Sequence, residues 1–318
     1  MKKFLHTMFI LFVGILVGAV ITFNTLGLVL GNVIYQELSN PKINANITGI
    51  VNISQDLSQI NQFQAQVPNA ERVSISTNNV QLAGTYVNNN ANKTVMLIHG
   101  LYQNRSRCIG YVDIYQRLGF NVLLIDLRGH GESEGTITWG KSEVSDIDAW
   151  LSYLRDNRKQ KIIGIQGISL GGAFSLLHSG LSSSPADFYV EDSSYSDIKS
   201  LYYNHLHNLI QLPNNSRLLD ILWAYSQICM YWHTGATLSE LSPLEAVKHT
   251  KAPILFLHGD ADTLIPANNL EDLYNACASP VKQMHMFKNS AHAQAITDSH
   301  DEYVQTITDF LRQNNFAN

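Results

Sequence analysis

From residue 71 onward, short apolar runs alternate with amphipathic segments of helical period, and this alternation restricts the fold more than any other feature of the chain. Strands that are buried on both faces are nearly continuous runs of Val, Ile and Leu. The runs that follow an opening hairpin have this character. The sequence therefore predicts an α/β fold, in which helices cover both faces of a mostly parallel central sheet.

The predicted elements follow one another without an internal repeat. The hairpin is predicted at residues 72–77 and 80–87, with Asn78 and Asn79 at its turn. Further strands are predicted at residues 94–98, 121–125, 161–166, 188–190, 253–257 and 281–287, and helices at residues 106–118, 141–155, 170–179, 268–278 and 301–313. Residues 195–249 are rich in Tyr, Leu, His and Trp and lack strand alternation, so we expect a helical insertion over the carboxyl edge of the sheet, where ligands bind in such folds.

The N-terminus carries an apolar run from Met8 to Leu30, and no Lys, Arg, Asp or Glu lies between Lys3 and Glu37. This run is long enough to cross a hydrocarbon core of about 30 Å as a helix. It also exceeds the apolar core of about 7–15 residues that is usual in a cleaved secretory signal. Residues 1–36 are thus predicted to be an uncleaved signal anchor with a single transmembrane helix, and a cleaved signal is the alternative.

The basic residues around this run predict its orientation. Lys2 and Lys3 precede the run, and the next basic residue is Lys42. The positive-inside rule then puts the N-terminus in the cytoplasm and the large domain, residues 71–318, outside the cell membrane. Residues 37–70 are predicted to be a polar linker or stalk. Apolar residues at roughly helical spacing in this segment favour a stalk helix that packs on the domain, and these are Ile43, Ile47, Ile50, Leu57 and Ile60.

Charge and cysteine content exclude several classes of protein. The formal net charge is −5, which gives no basic face for nucleic acid, so no nucleic-acid partner is expected. The three cysteines are too few and too scattered for a disulfide framework or a zinc site, and we expect buried thiols. The sequence predicts neither a metal nor an organic cofactor.

The sequence Gly167-Ile168-Ser169-Leu170-Gly171 lies between a predicted strand and a predicted helix. A serine on a sharp strand-to-helix turn requires small neighbours, because its backbone is strained and closely packed. The turn lifts the hydroxyl above the sheet and directs a helix N-terminus at it. This context predicts Ser169 as a catalytic nucleophile.

A serine hydroxyl needs a base to accept its proton and a third group to orient that base. Both partners are expected later in the chain, the acid before the histidine. The loop after strand 253–257 offers Asp260 and Asp262, and the loop after strand 281–287 offers His292. All follow the carboxyl ends of predicted strands, where a shared site can form.

Acyl transfer also requires donors for the developing oxyanion. The backbone amide of Leu170, directly after the nucleophile, is one candidate. The other is the amide of Leu101, in the loop after strand 94–98. A backbone donor does not depend on the side chain, so leucine is acceptable at both positions.

Four segments resemble, in order, the α/β-hydrolase superfamily: residues 98–100, 126–133, the Ser169 turn, and 258–266. The second segment, Asp-x-Arg-Gly-His-Gly-x-Ser, is typical of the branch that resembles serine aminopeptidases and monoglyceride lipases. Coverage runs from about Glu71 to Phe316, and the resemblance implies a cap domain at residues 195–249. It also implies that the acid is Asp262, three residues before an aliphatic-Pro pair, and that His292 is the base.

The resemblance further implies that Arg128, His130 and Ser133 have mainly structural roles. Asp146 and Asp148 lie on a predicted helix and are expected to be solvated.

The predicted function is a serine hydrolase that acts on a small-molecule ester, thioester or small amide. The aromatic and apolar content of residues 195–249 favours an acyl substrate over a charged amino terminus, and hence a carboxylesterase over an aminopeptidase. An acyltransferase would use the same residues. A surface-anchored binding protein without catalysis is the alternative from another class, although all three triad positions remain.

Overall fold

An eight-stranded sheet forms the centre of the protein in a computed structural model, which describes residues 2–41, 52–210, 213 and 216–318. The strands are β1 (Ala70–Thr77), β2 (Val80–Val87), β3 (Lys93–Ile98), β4 (Asn121–Ile125), β5 (Ile162–Ile168), β6 (Phe188–Asp192), β7 (Ile254–Gly259) and β8 (Lys282–Phe287). Their order is β1-β2-β4-β3-β5-β6-β7-β8. The hairpin strands β1 and β2 are antiparallel, β2 is antiparallel to β4, and all other neighbours are parallel. The predicted α/β fold with a mostly parallel sheet is confirmed.

Helices flank this sheet on both faces. The helices of the described residues are α1 (Lys2–Ser39), α2 (Ser58–Gln66), α3 (Val112–Arg117), α4 (Glu143–Asp156), α5 (Leu170–Leu181), α6 (Ile198–Ile210), α7 (Arg217–Thr234), α8 (Pro243–Ala246), α9 (Asn268–Ala276), α10 (Ala295–Asp298) and α11 (His300–Gln313). The part of the chain that the structure describes also contains the 3-10 helices Arg105–Tyr111 and Val247–His249. The segment between β6 and β7, where the sequence predicts a helical insertion, contains α6, α7 and α8.

Side chains of the central strands alternate between two apolar cores. In β3, Met96 and Ile98 pack into the core shared with α4, α5, α7 and α9, whereas Val95 and Leu97 pack into the core shared with α3 and α11. A strand directs successive side chains to opposite faces, so the two cores lie on opposite sides of the sheet. The helical insertion and α11 are therefore on opposite faces.

Among the described residues, the first helix, α1, is the one that could cross a membrane by length and composition. Its most apolar window has a mean hydropathy of 2.5, and none of that window is buried in the protein. The last turn of α1 contacts the domain, because the Tyr102 hydroxyl donates to the Glu37 carbonyl at 3.2 Å and Trp139 Nε1 donates to Ser39 Oγ at 3.1 Å.

Part of the predicted stalk lies outside the described residues, namely the positions of Ile43, Ile47 and Ile50. Farther along, Ile60 lies on α2 and is fully buried. The helix α2 therefore packs its single long aliphatic side chain against the domain.

The expectation that Asp146 is solvated is wrong. Its carboxylate is buried and accepts two hydrogen bonds of 2.7 Å from Nε and Nη2 of Arg128. The loop after β4 folds back over α4, and the buried guanidinium requires a carboxylate partner there. By contrast, Asp148 is partly exposed and accepts hydrogen bonds from His178 and Ser182.

Candidate active site

The predicted nucleophile, Ser169, lies on the turn between β5 and α5. Ser169 has φ 55° and ψ −116°, a conformation that a residue with a side chain rarely adopts. Its amide donates to the Asp192 carbonyl at the end of β6 at 2.8 Å. This strained turn resembles the one predicted from the Gly-x-Ser-x-Gly sequence.

Close backbone packing explains the two flanking glycines. A Cβ atom on Gly167 would lie 2.1 Å from the Gly171 carbonyl oxygen. One on Gly171 would lie 2.3 Å from the carbonyl oxygen of Ile98, at the end of β3. Neither position can accept a side chain without a shift of the backbone, so the glycines fix the nucleophile close to the sheet edge.

Of the three residues predicted as a triad, His292 lies in the middle, within hydrogen-bonding distance of both Ser169 and Asp262. His292 Nε2 is 2.9 Å from Ser169 Oγ, and His292 Nδ1 is 2.7 Å from Asp262 Oδ2. The Asp262 side chain is fully buried, whereas the His292 side chain remains 21% exposed. The site thus has a solvent-accessible end at the serine and histidine and a closed end at the carboxylate.

Asp262 is held in its ionised form by its surroundings. Its Oδ1 accepts the amides of Leu264 and Ile265 at 2.9 and 2.8 Å, and its Oδ2 also lies 3.2 Å from His258 Nε2. Burial opposes ionisation, but the hydrogen bonds from His258 and His292 and the Ile265 amide together hold the pKa of Asp262 well below its usual range. A carboxylate of this kind can orient His292 and stabilise its protonated form.

The other aspartate of the same loop has a different role. Asp260 is exposed, and its Oδ1 accepts the amide of Asn289 at 2.5 Å. It therefore joins the β7 loop to the loop that carries His292. The residues alone do not decide which of the two aspartates is the acid, and in the structure Asp262 is the one of the two that lies against the His292 ring.

The two predicted oxyanion donors belong to segments that adjoin Ser169. Leu170 is the first residue of α5, so its amide lacks an acceptor within the helix. In the loop before Leu101, a Cβ atom on Gly100 would lie 3.3 Å from Ser169 Cβ. Tyr102, the residue after Leu101, has φ 57° and donates its amide to His130 Nε2 at 3.3 Å. This hydrogen bond fixes the end of the loop.

A buried carboxyl group beside the site was not predicted from the sequence. Glu191 lies on β6, its Oε1 accepts the Ser194 amide, and its Oε2 has no partner among the described residues. Burial raises the pKa of Glu191 to about 8, although the charge of His258 acts in the opposite direction. In the sequence, Glu191 follows a short apolar run and directly precedes Asp192, and nothing in this pattern indicates that its side chain is buried. Among the described residues, no group of three or more His, Cys, Asp and Glu side chains could hold a metal ion.

Comparison with known proteins agrees with this architecture. Residues 93–185 match the family described as alpha/beta hydrolase fold, and residues 227–311 match the dienelactone hydrolase family. The chain is 30% identical over 224 residues to the uncharacterized protein YqkD of Bacillus subtilis, which covers 69% of this chain and 70% of that protein. The chain belongs to the α/β-hydrolase superfamily.

Two further proteins are similar to this chain. It is 26% identical over 234 residues to the uncharacterized membrane protein YNL320W of Saccharomyces cerevisiae, covering 72% of this chain and 74% of that protein. The solved structure of the Pyrococcus furiosus esterase Pf2001 superposes with a TM-score of 0.64 at 23% identity, covering 79% of this chain and 93% of that one. At 23% identity, the similarity to the esterase shows a shared fold and does not by itself show a shared activity.

Proposed function

We propose that this protein is a membrane-anchored serine hydrolase that cleaves an ester, or a thioester or small amide, through an acyl-enzyme intermediate. The observation that carries the proposal is the pair of hydrogen bonds that joins Ser169 to His292 and His292 to Asp262, at 2.9 and 2.7 Å. The esterase Pf2001 and the dienelactone hydrolase family support hydrolysis of an ester in particular.

The first half of the reaction forms the acyl-enzyme. His292 Nε2 takes the hydroxyl proton as Ser169 Oγ attacks the carbonyl carbon, and the carbonyl electron pair moves onto its oxygen. The amides of Leu101 and Leu170 stabilise this oxyanion, and Asp262 stabilises the imidazolium. The intermediate collapses, the bond to the leaving alcohol breaks, and His292 donates its proton to that alcohol.

The second half regenerates the enzyme. His292 takes a proton from a water molecule, whose oxygen attacks the acyl carbon and forms a second oxyanion in the same place. When this intermediate collapses, the bond to Ser169 Oγ breaks and the carboxylic acid leaves. His292 returns the proton to Ser169.

The anchor in this proposal is α1, with its N-terminus in the cytoplasm and the catalytic domain outside the membrane as a single-pass protein. Support comes from the apolar length of α1 and from Lys2 and Lys3, which lie at its start. The similar yeast protein is named a membrane protein, which also favours anchoring.

Hydrolysis of p-nitrophenyl esters by the full chain in detergent tests the proposed reaction. Ser169→Ala is expected to lower kcat by at least about 10⁴-fold, because the nucleophile is lost while oxyanion donors remain. Ser290→Ala is a matched control, because Ser290 is a buried serine in the loop before His292. Equal activity of Ser169→Ala and the unmodified chain would contradict the proposal.

A further inference from the structure

The helix α7 carries apolar side chains on its outward face as well as its inward face. Ile228, Tyr231 and Trp232 are 44%, 56% and 71% exposed. Their spacing of three and four residues puts them on one face of the helix. On the inward face, Trp223 and Met230 are buried in the core. A helix that is apolar all round is normally covered on all sides, by protein or by lipid.

The helix α7 also packs beside α1 in parallel. The Tyr225 hydroxyl donates to Asn24 Oδ1 at 2.8 Å, and His233 Nε2 lies 2.8 Å from Asn32 Oδ1, a constant separation of 201 residues along the chain. In these contacts the polar side chains Asn24 and Asn32 of α1 face α7. The second half of α1 therefore directs apolar side chains outward.

Two glycines allow the helices to approach closely. A Cβ atom on Gly27 would lie 2.2 Å from the ring of Tyr225, and one on Gly31 would lie 2.8 Å from the Tyr225 backbone. Small residues four apart are the usual means by which helices approach each other in membranes. The outward faces of α1 and α7 are therefore continuous with each other.

We define this shared surface as the apolar rim. It consists of Leu26, Val29, Leu30, Val33, Ile228, Tyr231 and Trp232, all of them exposed. No charged residue lies between Ile221 and Trp232 in α7. Tyr and Trp at one end of an apolar surface are typical of the boundary between membrane and water.

The length of the apolar surface fits a lipid bilayer. Exposed apolar residues of α1 extend from Phe4 to Val33, which is about 45 Å of helix at 1.5 Å per residue. The hydrocarbon core of a bilayer is about 30 Å thick and the bilayer with its headgroup regions about 40–45 Å, so the last part of this surface extends beyond the core into the outer headgroup region. The rim lies at the far end of this length, at the level of the outer headgroups.

We propose that the apolar rim is seated in the outer interfacial region of the bilayer that α1 crosses, so that α7 of the helical insertion contacts lipid directly. This inference rests on the proposed membrane anchoring. It adds a second membrane contact, made by the catalytic domain itself, which holds the domain against the lipid surface.

Lipid contact can be tested at single labelled sites in the full chain. The native thiols Cys108, Cys229 and Cys277 are buried, so a maleimide-linked nitrobenzoxadiazole label will favour an introduced exposed cysteine. The variants are Trp232→Cys for the rim, Phe9→Cys for the anchor and Gln305→Cys on α11 as a control on the opposite face of the sheet. Each is reconstituted in phosphatidylcholine vesicles, with or without lipids brominated on their acyl chains.

We expect bromolipid quenching at residue 232 of at least about half that at residue 9, and at residue 305 less than about a tenth of it. If residue 9 is not quenched, the anchoring fails and this inference fails with it. If residue 9 is quenched and residue 232 is not, the inference fails while the anchoring stands. Blue-shifted emission at residue 232 without quenching would mean that a second copy covers the rim, which also overturns the proposal.

Ile228→Cys provides a second rim site if Trp232→Cys does not fold. Hydrolysis of p-nitrophenyl esters by each labelled variant shows that the domain is intact. A quenched label at residue 228 supports the proposal on the same terms as one at residue 232.

Discussion

At the scale of single residues, the two carboxylates of the β7 loop show how position determines role. Asp262 is buried and shared by two histidine rings, whereas Asp260 is exposed and accepts a backbone amide. Only a carboxylate held against His292 can orient the ring and stabilise its charge. The difference between them can be measured.

Asp262→Asn is expected to lower kcat for ester hydrolysis by about 10³–10⁴-fold, because the amide group cannot stabilise a protonated His292. Asp260→Asn keeps the loop geometry and is expected to change kcat by less than about 10-fold. Steady-state kinetics of both variants on the same ester compare them directly. A larger loss of kcat for Asp260→Asn than for Asp262→Asn would show that Asp262 is not the acid of the triad.

The buried carboxyl group of Glu191 makes stability depend on pH. Its pKa is raised from 4.5 to about 8 by burial, so the folded chain holds a proton that the unfolded chain has lost. The contribution of this proton to the free energy of unfolding is fully present below pH 4.5 and is lost as the pH rises toward 8.

Glu191→Gln keeps the shape of the side chain and removes its titration. We expect the melting temperature of this variant to fall less steeply than that of the unmodified chain between pH 5 and 8. Thermal unfolding in detergent across this range is the measurement. Parallel curves for the two proteins would show that Glu191 does not hold a proton in the folded chain.

At the scale of elements, much of the sheet could be predicted because buried strands are apolar runs between turn residues. The predicted strand 80–87 coincides with β2, and the predicted strand 161–166 ends two residues before β5 does. The sequence predicts a single helix over residues 106–118, whereas the structure has a 3-10 helix followed by α3. Tertiary contacts decide such details. Arg105, at the start of the 3-10 helix, is buried in an ion pair with Asp126, which lies after β4.

The packing of α1 on α7 could not be predicted from local patterns. The apolar run of α1 gives no indication of which face meets protein, because nearly every position is apolar. Asn24, Asn32, Gly27 and Gly31 identify that face only once α7 is known to lie beside it. The burial of Asp146 was missed for a similar reason, since its partner Arg128 is distant along the chain.

Gly31→Val is expected to displace α7 from α1, because its side chain would meet the Tyr225 backbone. Cys229 reports this movement, since it is buried and its Sγ lies 3.5 Å from the Leu28 carbonyl of α1. We expect alkylation of Cys229 by N-ethylmaleimide in detergent to become at least about 10-fold faster.

Gly18→Val is the matched control for this substitution. A Cβ atom on Gly18 meets nothing within 4 Å, so alkylation of Cys229 is expected to stay unchanged. Equal rates in Gly31→Val and Gly18→Val would contradict the close packing of the two helices.

At the scale of the whole molecule, the proposed anchor and the candidate site are joined by short connections. The end of α1 contacts Tyr102, which directly follows the predicted oxyanion donor Leu101. The same loop receives the Ile53 amide at the Tyr102 carbonyl, at 2.9 Å. The segments around the linker thus support the loop beside the nucleophile.

The orientation proposed for the chain makes a prediction for intact bacterial cells that express it. Gln305→Cys is expected to react with a membrane-impermeant maleimide from outside the cell, whereas Lys3→Cys is expected to react only after permeabilisation. The buried native thiols give little background. The reverse pattern would place the catalytic domain in the cytoplasm.

Whether Ser169 is an activated nucleophile can be tested directly with a fluorophosphonate probe. The full chain in detergent is treated with the probe, digested, and the modified peptide is identified by mass spectrometry. We expect one adduct, on Ser169, that persists in Ser290→Ala and is lost in His292→Ala. A folded chain that forms no adduct, or forms it on another residue, would show that Ser169 is not the activated nucleophile.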